Sequence, residues 1–289
     1  MAEGGAVPVQ ESVGAALASV RSNLRFVLSA SLICALVLAL VTGLALFVPQ
    51  VGLLTAVGAM FVRAITYAAF IVAAFGLAAS AQQRVLNDGL RVWAAMAVVG
   101  FFMCIVMFVL LIPGMIALFA GPMAPYIGDL ERAGSDQAAV ISVMTRFVQE
   151  QPGALVSFAL FYTIVWILLT SRLYLAAPAS VEAGRILTFE TWAWTKGSML
   201  RITAARLMLL GPAYVLVAAL DYVVAAIAGI NALDPMATAA VAQSNPVLFI
   251  GYVFVTSFIT FALYSSLEAG LSTYLYRGLK PAAAQQSAA

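Results

Sequence analysis

The chain contains no histidine and only two cysteines among its 289 residues. Histidine is the commonest general base and a common metal ligand, so its absence removes the usual designs for both kinds of site. The sequence also lacks a glycine-rich phosphate loop, a dinucleotide fingerprint and a Gly-x-Ser-x-Gly nucleophile elbow. Cys34 and Cys104 fall in apolar stretches, which favours packing over a disulfide or a metal site. We therefore expect no cofactor and favour a function other than catalysis.

Charge is scarce as well. Charged residues make up 9% of the chain and hydrophobic residues 64%, whereas a soluble protein carries about 25% charged residues. The mean hydropathy of +1.05 agrees with a surface that faces lipid. Three long stretches have no charge at all: Phe26–Val62, Val92–Ile127 and Pro235–Leu267. Each exceeds the roughly 20 apolar residues that cross a bilayer as a helix.

The pattern predicts an all-α fold, a polytopic membrane bundle of six transmembrane helices with short interfacial helices. Continuous apolar runs, rather than alternation, favour helices over a barrel. The predicted spans are Phe26–Val48, Leu53–Ser80, Trp93–Phe119, Ala154–Ala176, Ile202–Ile230 and Val247–Tyr274. We divide the chain into a cytoplasmic N-terminal segment with an interfacial helix (1–25), the transmembrane domain (26–276) and a disordered cytoplasmic tail (277–289).

Positively charged residues concentrate at the span ends that share one side of the predicted bundle. Eleven of the fourteen Lys and Arg fall at one set of span ends: Arg21, Arg25, Arg84, Arg91, Arg172, Arg185, Lys196, Arg201, Arg206, Arg277 and Lys280. Positive charge stays cytoplasmic, so the sequence predicts a bacterial inner-membrane protein with both termini inside. We expect the first span to act as a retained signal anchor. Because the basic residues are dispersed, the net charge of +2 does not indicate nucleic-acid binding.

A short string recurs before three spans: Ser22–Phe26, Asp88–Val92 and Ser198–Ile202. Each reads as a polar or small residue, any residue, Leu, Arg and an apolar residue. One interpretation is a helix cap followed by a snorkelling Arg. The other is three related hairpins, each with a short interfacial helix before two spans.

The segment from Leu187 to Arg201 is the most patterned part of the chain. We expect an interfacial helix in which Phe189 and Trp192 share an apolar face, with Trp194 beside it and Lys196 on another side. These four residues are candidates for contact with lipid or with a partner protein, the alternative being a plain elbow between spans.

This region carries a resemblance. Arg172-Leu173, Leu175 and Pro178, followed by Thr191-Trp192 and Thr195-Lys196-Gly197, are similar to bacterial six-span membrane proteins and to the membrane-anchoring region of some glycerophosphodiester phosphodiesterases. The resemblance implies a six-span membrane fold over most of the chain. The sequence contains no soluble catalytic domain of that enzyme, so we expect no hydrolase activity from the resemblance, and it transfers no functional residue.

Charged residues inside spans favour a functional hypothesis because burying them in lipid is costly. Arg63 and Asp221 lie at similar predicted depths, which predicts an ion pair between the second and fifth spans. The alternatives place Arg63 at the outer interface, or make both residues part of a substrate or proton path.

The sixth span carries a polar stripe. At α-helical spacing one face contains the side chains of Ser257, Thr260, Tyr264 and Glu268. Such a face points into a bundle, where it forms interhelical hydrogen bonds or lines a polar cavity. We expect Arg172 or Arg206 to neutralise Glu268.

Three further features concern local structure. Pro113 and Pro212 predict breaks or kinks in the third and fifth spans. Ser135–Gln151 predicts an amphipathic helix outside the membrane, capped by Ser135, with a weaker counterpart at Pro235–Gln243.

These features favour a non-enzymatic membrane protein that organises or supports envelope lipids or partner proteins. Membrane lipids are the expected partners, together with a second copy of the chain or another membrane protein. The alternatives are a transporter or channel for a small or lipid-like solute and a membrane-embedded lipid-modifying enzyme. The enzyme would need carboxylates that converge near one interface, such as Glu182 with Glu268.

Overall fold

The structure is a computed structural model that describes residues 8–78, 81–231 and 234–280. Over those ranges the chain forms α-helices and short turns, without a β-strand. The helices are α1 (Val9–Ser22), α2 (Leu24–Phe47), α3 (Gly52–Ala74), α4 (Ala81–Ala120), α5 (Ile127–Ala133), α6 (Gln137–Glu150), α7 (Pro152–Arg172), α8 (Ala176–Ala183), α9 (Glu190–Trp194), α10 (Met199–Ile227), α11 (Pro235–Ser244), α12 (Pro246–Ile259) and α13 (Ser266–Leu279). A π-helical turn, Thr260–Ser265, joins α12 to α13.

Six helical segments are long and apolar enough to cross a membrane, which confirms the all-α helical bundle with six candidate spans. They are Leu24–Phe47, Pro49–Ala74, Gln83–Ala120, Pro152–Ala183, Met199–Ile227 and Pro246–Leu279. The N-terminal segment contains the helix α1. The C-terminal tail begins later than predicted, because Arg277–Leu279 still belong to α13. Residues 281–289 lie outside the described part of the chain.

The second and fifth spans end earlier than the hydropathy indicated. In α3 the amide of Gly76 donates to Ala73 O and that of Leu77 to Val72 O. This is a Schellman cap, and Gly76 supplies the left-handed backbone that it requires, with φ of 81°. Residues 79 and 80, at the predicted end of this span, are not among those described. The same pair of bonds, with Gly229 at the left-handed position, ends α10 at Ile227. Apolar residues continue beyond both ends, so hydropathy alone placed the ends of the two helices too late.

The helices separate into two compact units. The first consists of the described residues up to Val98 and from Ser171 onward. Its core forms around buried residues of α2, α3 and α13, including Phe70, Ile71 and Leu271. Thr66 is completely buried there, and its hydroxyl donates to Val62 O at 2.8 Å. Such back-bonding satisfies a hydroxyl where no water is present.

The second unit spans Val99–Thr170. Its small core contains Met123, Tyr126 and Phe147. The amphipathic helix predicted at Ser135–Gln151 is confirmed as α6, but its cap is Asp136 rather than Ser135. The Asp136 carboxylate accepts hydrogen bonds from the amides of Ala138 and Ala139, and an acidic cap also matches the positive end of the helix dipole.

Neither proline breaks its helix: α4 continues through Pro113 and α10 through Pro212. Near Pro113, the Tyr162 hydroxyl donates to Leu110 O at 2.7 Å and so occupies one of the carbonyls in this turn. The predicted breaks were therefore wrong, since the helical turns on either side of each proline continue in register.

The three repeated strings differ in local structure. Asn23 separates α1 from α2, and Ser198 precedes α10 after a short helical turn. The second string, Asp88–Val92, lies inside the continuous helix α4 instead. A separate short helix therefore does not precede each hairpin.

Candidate functional site

The π-helical turn changes the polar stripe of the sixth span. A π-turn has wider i→i+5 hydrogen bonding, so positions beyond it no longer follow the 3.6-residue period. Thr260 begins the turn, and its hydroxyl donates to Thr256 O at 2.8 Å instead of to another helix. Ser257, Tyr264 and Glu268 are partly buried. The Thr260 hydroxyl is therefore satisfied within its own helix rather than by the interhelical hydrogen bond that the stripe predicted.

Glu268 lies within what we call the tyrosine–acid cluster, formed by Tyr67, Tyr174, Arg206, Tyr264 and Glu268. The carboxylate acts electrostatically on Arg206 and on the three phenol groups. The Tyr174 hydroxyl donates to the backbone carbonyl of Glu268 at 3.2 Å. These residues come from α3, the segment after α7, α10, the π-turn and α13. An acidic side chain thus sits where four candidate spans meet.

Arg206 is the cation of this cluster. Its guanidinium lies 4.6 Å from the centroid of the Tyr174 ring and donates to Ser171 Oγ at 2.8 Å. Thr203, one turn earlier on α10, donates to the same oxygen at 3.0 Å. Sequence reasoning left Arg172 and Arg206 as alternatives for neutralising Glu268. Of the two, Arg206 acts electrostatically on Glu268, whereas Arg172 stacks on the Trp192 ring at 4.7 Å.

Tyr67 extends the cluster toward α13. Its ring is buried, and its hydroxyl shares a hydrogen bond of 3.0 Å with Ser272 Oγ. Neither Tyr67 nor Tyr174 was identified as a site residue from the sequence. Tyr67 lies 205 positions from Ser272, so no local pattern indicates the contact.

The predicted ion pair between Arg63 and Asp221 is not formed. Asp221 accepts a hydrogen bond from the Tyr252 hydroxyl at 2.9 Å, while the Arg63 side chain is exposed. A phenol can satisfy a carboxylate in place of a cation, which is why matched depth alone did not identify the partner. Asp221 and Glu268 therefore belong to separate polar contacts, and Arg63 to neither.

The elbow before the fifth span is shorter than predicted. Its helix, α9, has five residues, and its buried side carries hydroxyls rather than aromatic rings. Thr195 is fully buried and donates to Arg172 O at 3.0 Å. Phe189 and Lys196 are exposed. Trp192 stacks under Arg172, and Trp194 packs 6.1 Å from the Tyr276 ring.

Two ionic contacts at the basic span ends were missed. In α4 the completely buried Asp88 forms salt bridges with Arg84 at 3.1 Å and with Arg91 at 2.8 Å. The i,i+4 and i,i+3 spacings of these residues could have revealed this contact. The Glu182 carboxylate accepts from the Tyr276 hydroxyl at 2.5 Å and from Lys280 Nζ at 2.6 Å. Glu182 and Glu268 thus have different partners and do not form a carboxylate pair.

The salt bridges of the second unit lie at its surface. Arg146 and Arg132 both bridge to Asp129. The hydrogen bond from Arg146 has the largest effect on the pKa of Asp129, and together with the one from Arg132 it lowers that pKa. Donation from Tyr126 to the Glu150 carboxylate at 2.6 Å raises the pKa of the Tyr126 phenol, since the bond favours the protonated form. These contacts link α5 and α6 around Phe147.

The chemistry available to the described residues is limited. They contain no group of three His, Cys, Asp or Glu side chains that could hold a metal ion. The tyrosine–acid cluster offers one carboxylate, one guanidinium and three phenols. Such groups can hold or relay a proton and can position a polar ligand.

Comparison of the chain with protein-family models, with curated proteins and with solved structures finds no match. The six candidate spans, which are compatible with an integral membrane protein, and the geometry of the two units are therefore the basis for function.

Proposed function

We propose that this chain is a multi-pass protein of a bacterial cytoplasmic membrane, with both termini in the cytoplasm. Contacts between helix ends support placing the basic span ends on one common side. Arg277 at the end of the sixth span donates to Phe75 O beside the end of the second, at 3.0 Å. Lys280 reaches Glu182 at the end of the fourth. Span ends that the charge pattern assigns to the same side are therefore close together in the first unit.

Its function, we infer, is to organise or support envelope lipids or partner proteins without catalysing a reaction. The observation that carries this proposal is the exposed surface of the elbow. Phe189 and Leu200 expose 47% and 70% of their surface, and the neighbouring cations Lys196 and Arg201 are exposed too. Apolar side chains flanked by cations suit the boundary between acyl chains and anionic headgroups.

A lipid-retention experiment tests the proposal. Native mass spectrometry would compare retention of phosphatidylglycerol and phosphatidylcholine by the protein in mild detergent. We expect preferential retention of phosphatidylglycerol, reduced by the Lys196→Gln/Arg201→Gln double variant. The matched control, Arg63→Gln/Arg132→Gln, removes two exposed cations from the predicted outer side and should retain the lipid preference. Equal retention of both lipids by the unmodified protein would contradict the proposal.

A second candidate function, transport of a small or lipid-like solute, is favoured by one specific observation. The π-turn Thr260–Ser265 lies next to Glu268, and π-turns often occur at functional sites. Single cysteines at positions 257, 260 and 264, introduced after replacing Cys34 and Cys104 with alanine, would be treated with a water-soluble thiol reagent. Labelling at all three positions would favour a water-filled path, whereas protection at all three would exclude it.

A further inference from the structure

A groove in the first unit lies between α1, the end of α3 and α13. Its volume is about 440 Å³, within the range of small-molecule sites. Its lining combines small residues, mostly alanine, with several polar side chains. The lining residues are Ala15, Ala18, Ser19, Ser22, Asn23, Ala73, Ala74, Gly76, Gly270, Thr273, Tyr274 and Arg277. The groove lies where the first span begins and the second and sixth spans end.

The groove exists because α1 and α13 approach closely at Gly270. A Cβ at this position would lie 3.2 Å from Ala16 O and 3.3 Å from Ala16 Cα, closer than side chains normally pack. Glycine therefore brings the two backbones together, while the alanines on either side leave room for an occupant.

Thr273 indicates that the occupant is polar. Only 2% of this residue is exposed, and its Oγ1 has no hydrogen-bond partner within the described ranges. Leaving a buried hydroxyl unsatisfied is unfavourable. Other threonines of the spans, such as Thr66 and Thr256, bond to a carbonyl one turn earlier. Thr273 forms no such hydrogen bond, although it lines the groove.

Arg277 gives the groove its charge. Its guanidinium lies over the Phe75 ring at 5.1 Å and uses one nitrogen to donate to Phe75 O. Arginine has five donors in a planar fork, so this bond leaves others for a ligand. The described lining residues include no carboxylate, although Glu182 lies close enough to interact electrostatically with Arg277. Hydroxyls and a guanidinium without a lining acid favour an anion, and phosphate is the anion that arginine forks match.

We infer that this groove binds the phosphate of a membrane phospholipid, with Arg277 as its cation and Ala73 and Ala74 against the glycerol backbone. The Thr273 hydroxyl, which has almost no accessible surface as it stands, becomes the second ligand by turning toward the groove about the Cα–Cβ bond. The inference rests on the proposed lipid function and specifies where one lipid binds. The location favours lipid over free phosphate as the source, because the groove opens beside the ends of three candidate spans.

Two substitutions test the site. Thr273→Val removes the hydroxyl but keeps the shape, and because Oγ1 has no protein partner the variant should fold normally. Arg277→Gln removes the charge. We expect each to weaken retention of phosphatidylglycerol in detergent, measured by native mass spectrometry, by about tenfold. The matched controls, Thr66→Val and Arg25→Gln, lie outside the groove lining and should retain the lipid.

The outcomes separate this inference from the proposed function. If the wild-type protein retains phosphatidylglycerol and neither Thr273→Val nor Arg277→Gln reduces that retention, the groove site is wrong and the lipid function stands. Protein that retains no phospholipid would overturn both. A phosphate-free galactosyl diacylglycerol should not compete. If inorganic phosphate alone binds with the same dependence on Arg277 and Thr273, the source is free phosphate and the lipid assignment is wrong.

Discussion

The two compact units differ in what covers their apolar helices. The first unit contains two clusters of buried hydrophobic residues drawn from several helices, whereas the second contains one small cluster around Phe147. In the second unit, Phe101, Phe108 and Val156 each expose about two thirds of their surface. In the first unit protein buries many of the apolar side chains, whereas lipid or another protein must cover most of those in the second.

Ionisable groups follow the same division. The first unit holds Asp88 and Glu182 in contacts with several partners and keeps Glu268 partly buried beside Arg206. The second unit keeps its ion pairs around Asp129 at the surface. Removing one partner from a buried charge leaves the other uncompensated, whereas surface pairs contribute little. The stability of the first unit should therefore depend on single charged residues much more than that of the second.

The largest effect that would test this contrast is expected at Arg206. Arg206→Gln removes the cation beside Glu268 and its contacts with Ser171 and Tyr174, and we expect a loss of about 3 kcal/mol in the free energy of unfolding. Unfolding would be followed by circular dichroism against the mole fraction of dodecyl sulfate in mixed micelles. The matched change in the second unit, Arg132→Gln, should leave the unfolding midpoint nearly unchanged.

A double variant identifies the cause. Arg206→Gln/Glu268→Gln removes both charges and should recover part of the lost stability, because the carboxylate no longer lacks its cation. Equal losses for Arg206→Gln and Arg132→Gln would contradict the proposed difference between the units.

A smaller effect is expected from packing alone. Gly270→Leu forces a side chain against the Ala16 backbone and should destabilise the protein by about 1–3 kcal/mol. At Gly100, on α4 in the second unit, an added Cβ would meet no atom within 4 Å, and Gly100→Leu should change the unfolding free energy by less than about 0.5 kcal/mol. The same unfolding curves measure both. A larger loss at Gly100 than at Gly270 would mean that the second unit is packed by contacts outside this single chain.

The sequence predicted what depends on neighbouring residues. Apolar runs of sufficient length located the six spans, and the local pattern from Gln137 to Glu150 located α6. Helix ends were less accurate, because the Schellman caps at Gly76 and Gly229 stop helices within apolar sequence.

The polar contacts were predicted least well, because their partners are far apart in the chain. Nothing near Glu182 indicates Tyr276, 94 positions away, and nothing near Asp221 indicates Tyr252 rather than Arg63. The π-turn at Thr260–Ser265, within the predicted stripe, was not predicted either. Helical periodicity presumes regular hydrogen bonding, so it fails where a helix departs from it.

The smallest expected effect is the acid response of the second unit. The pKa of Asp129 is lowered by its hydrogen bonds with Arg146 and Arg132, so its contribution to stability is present above the unfolded pKa of about 3.9 and is lost as the pH falls through the lower folded value. The pKa of Tyr126 is raised, so its contribution is present below about 10 and is lost at higher pH. Protection factors from hydrogen exchange at the amides of α6 should therefore be constant between about pH 5 and 9 and fall below about pH 4. Asp129→Asn should remove most of that acid fall, and an undiminished fall in this variant would assign it to other carboxylates, such as Asp136 at the cap of the same helix.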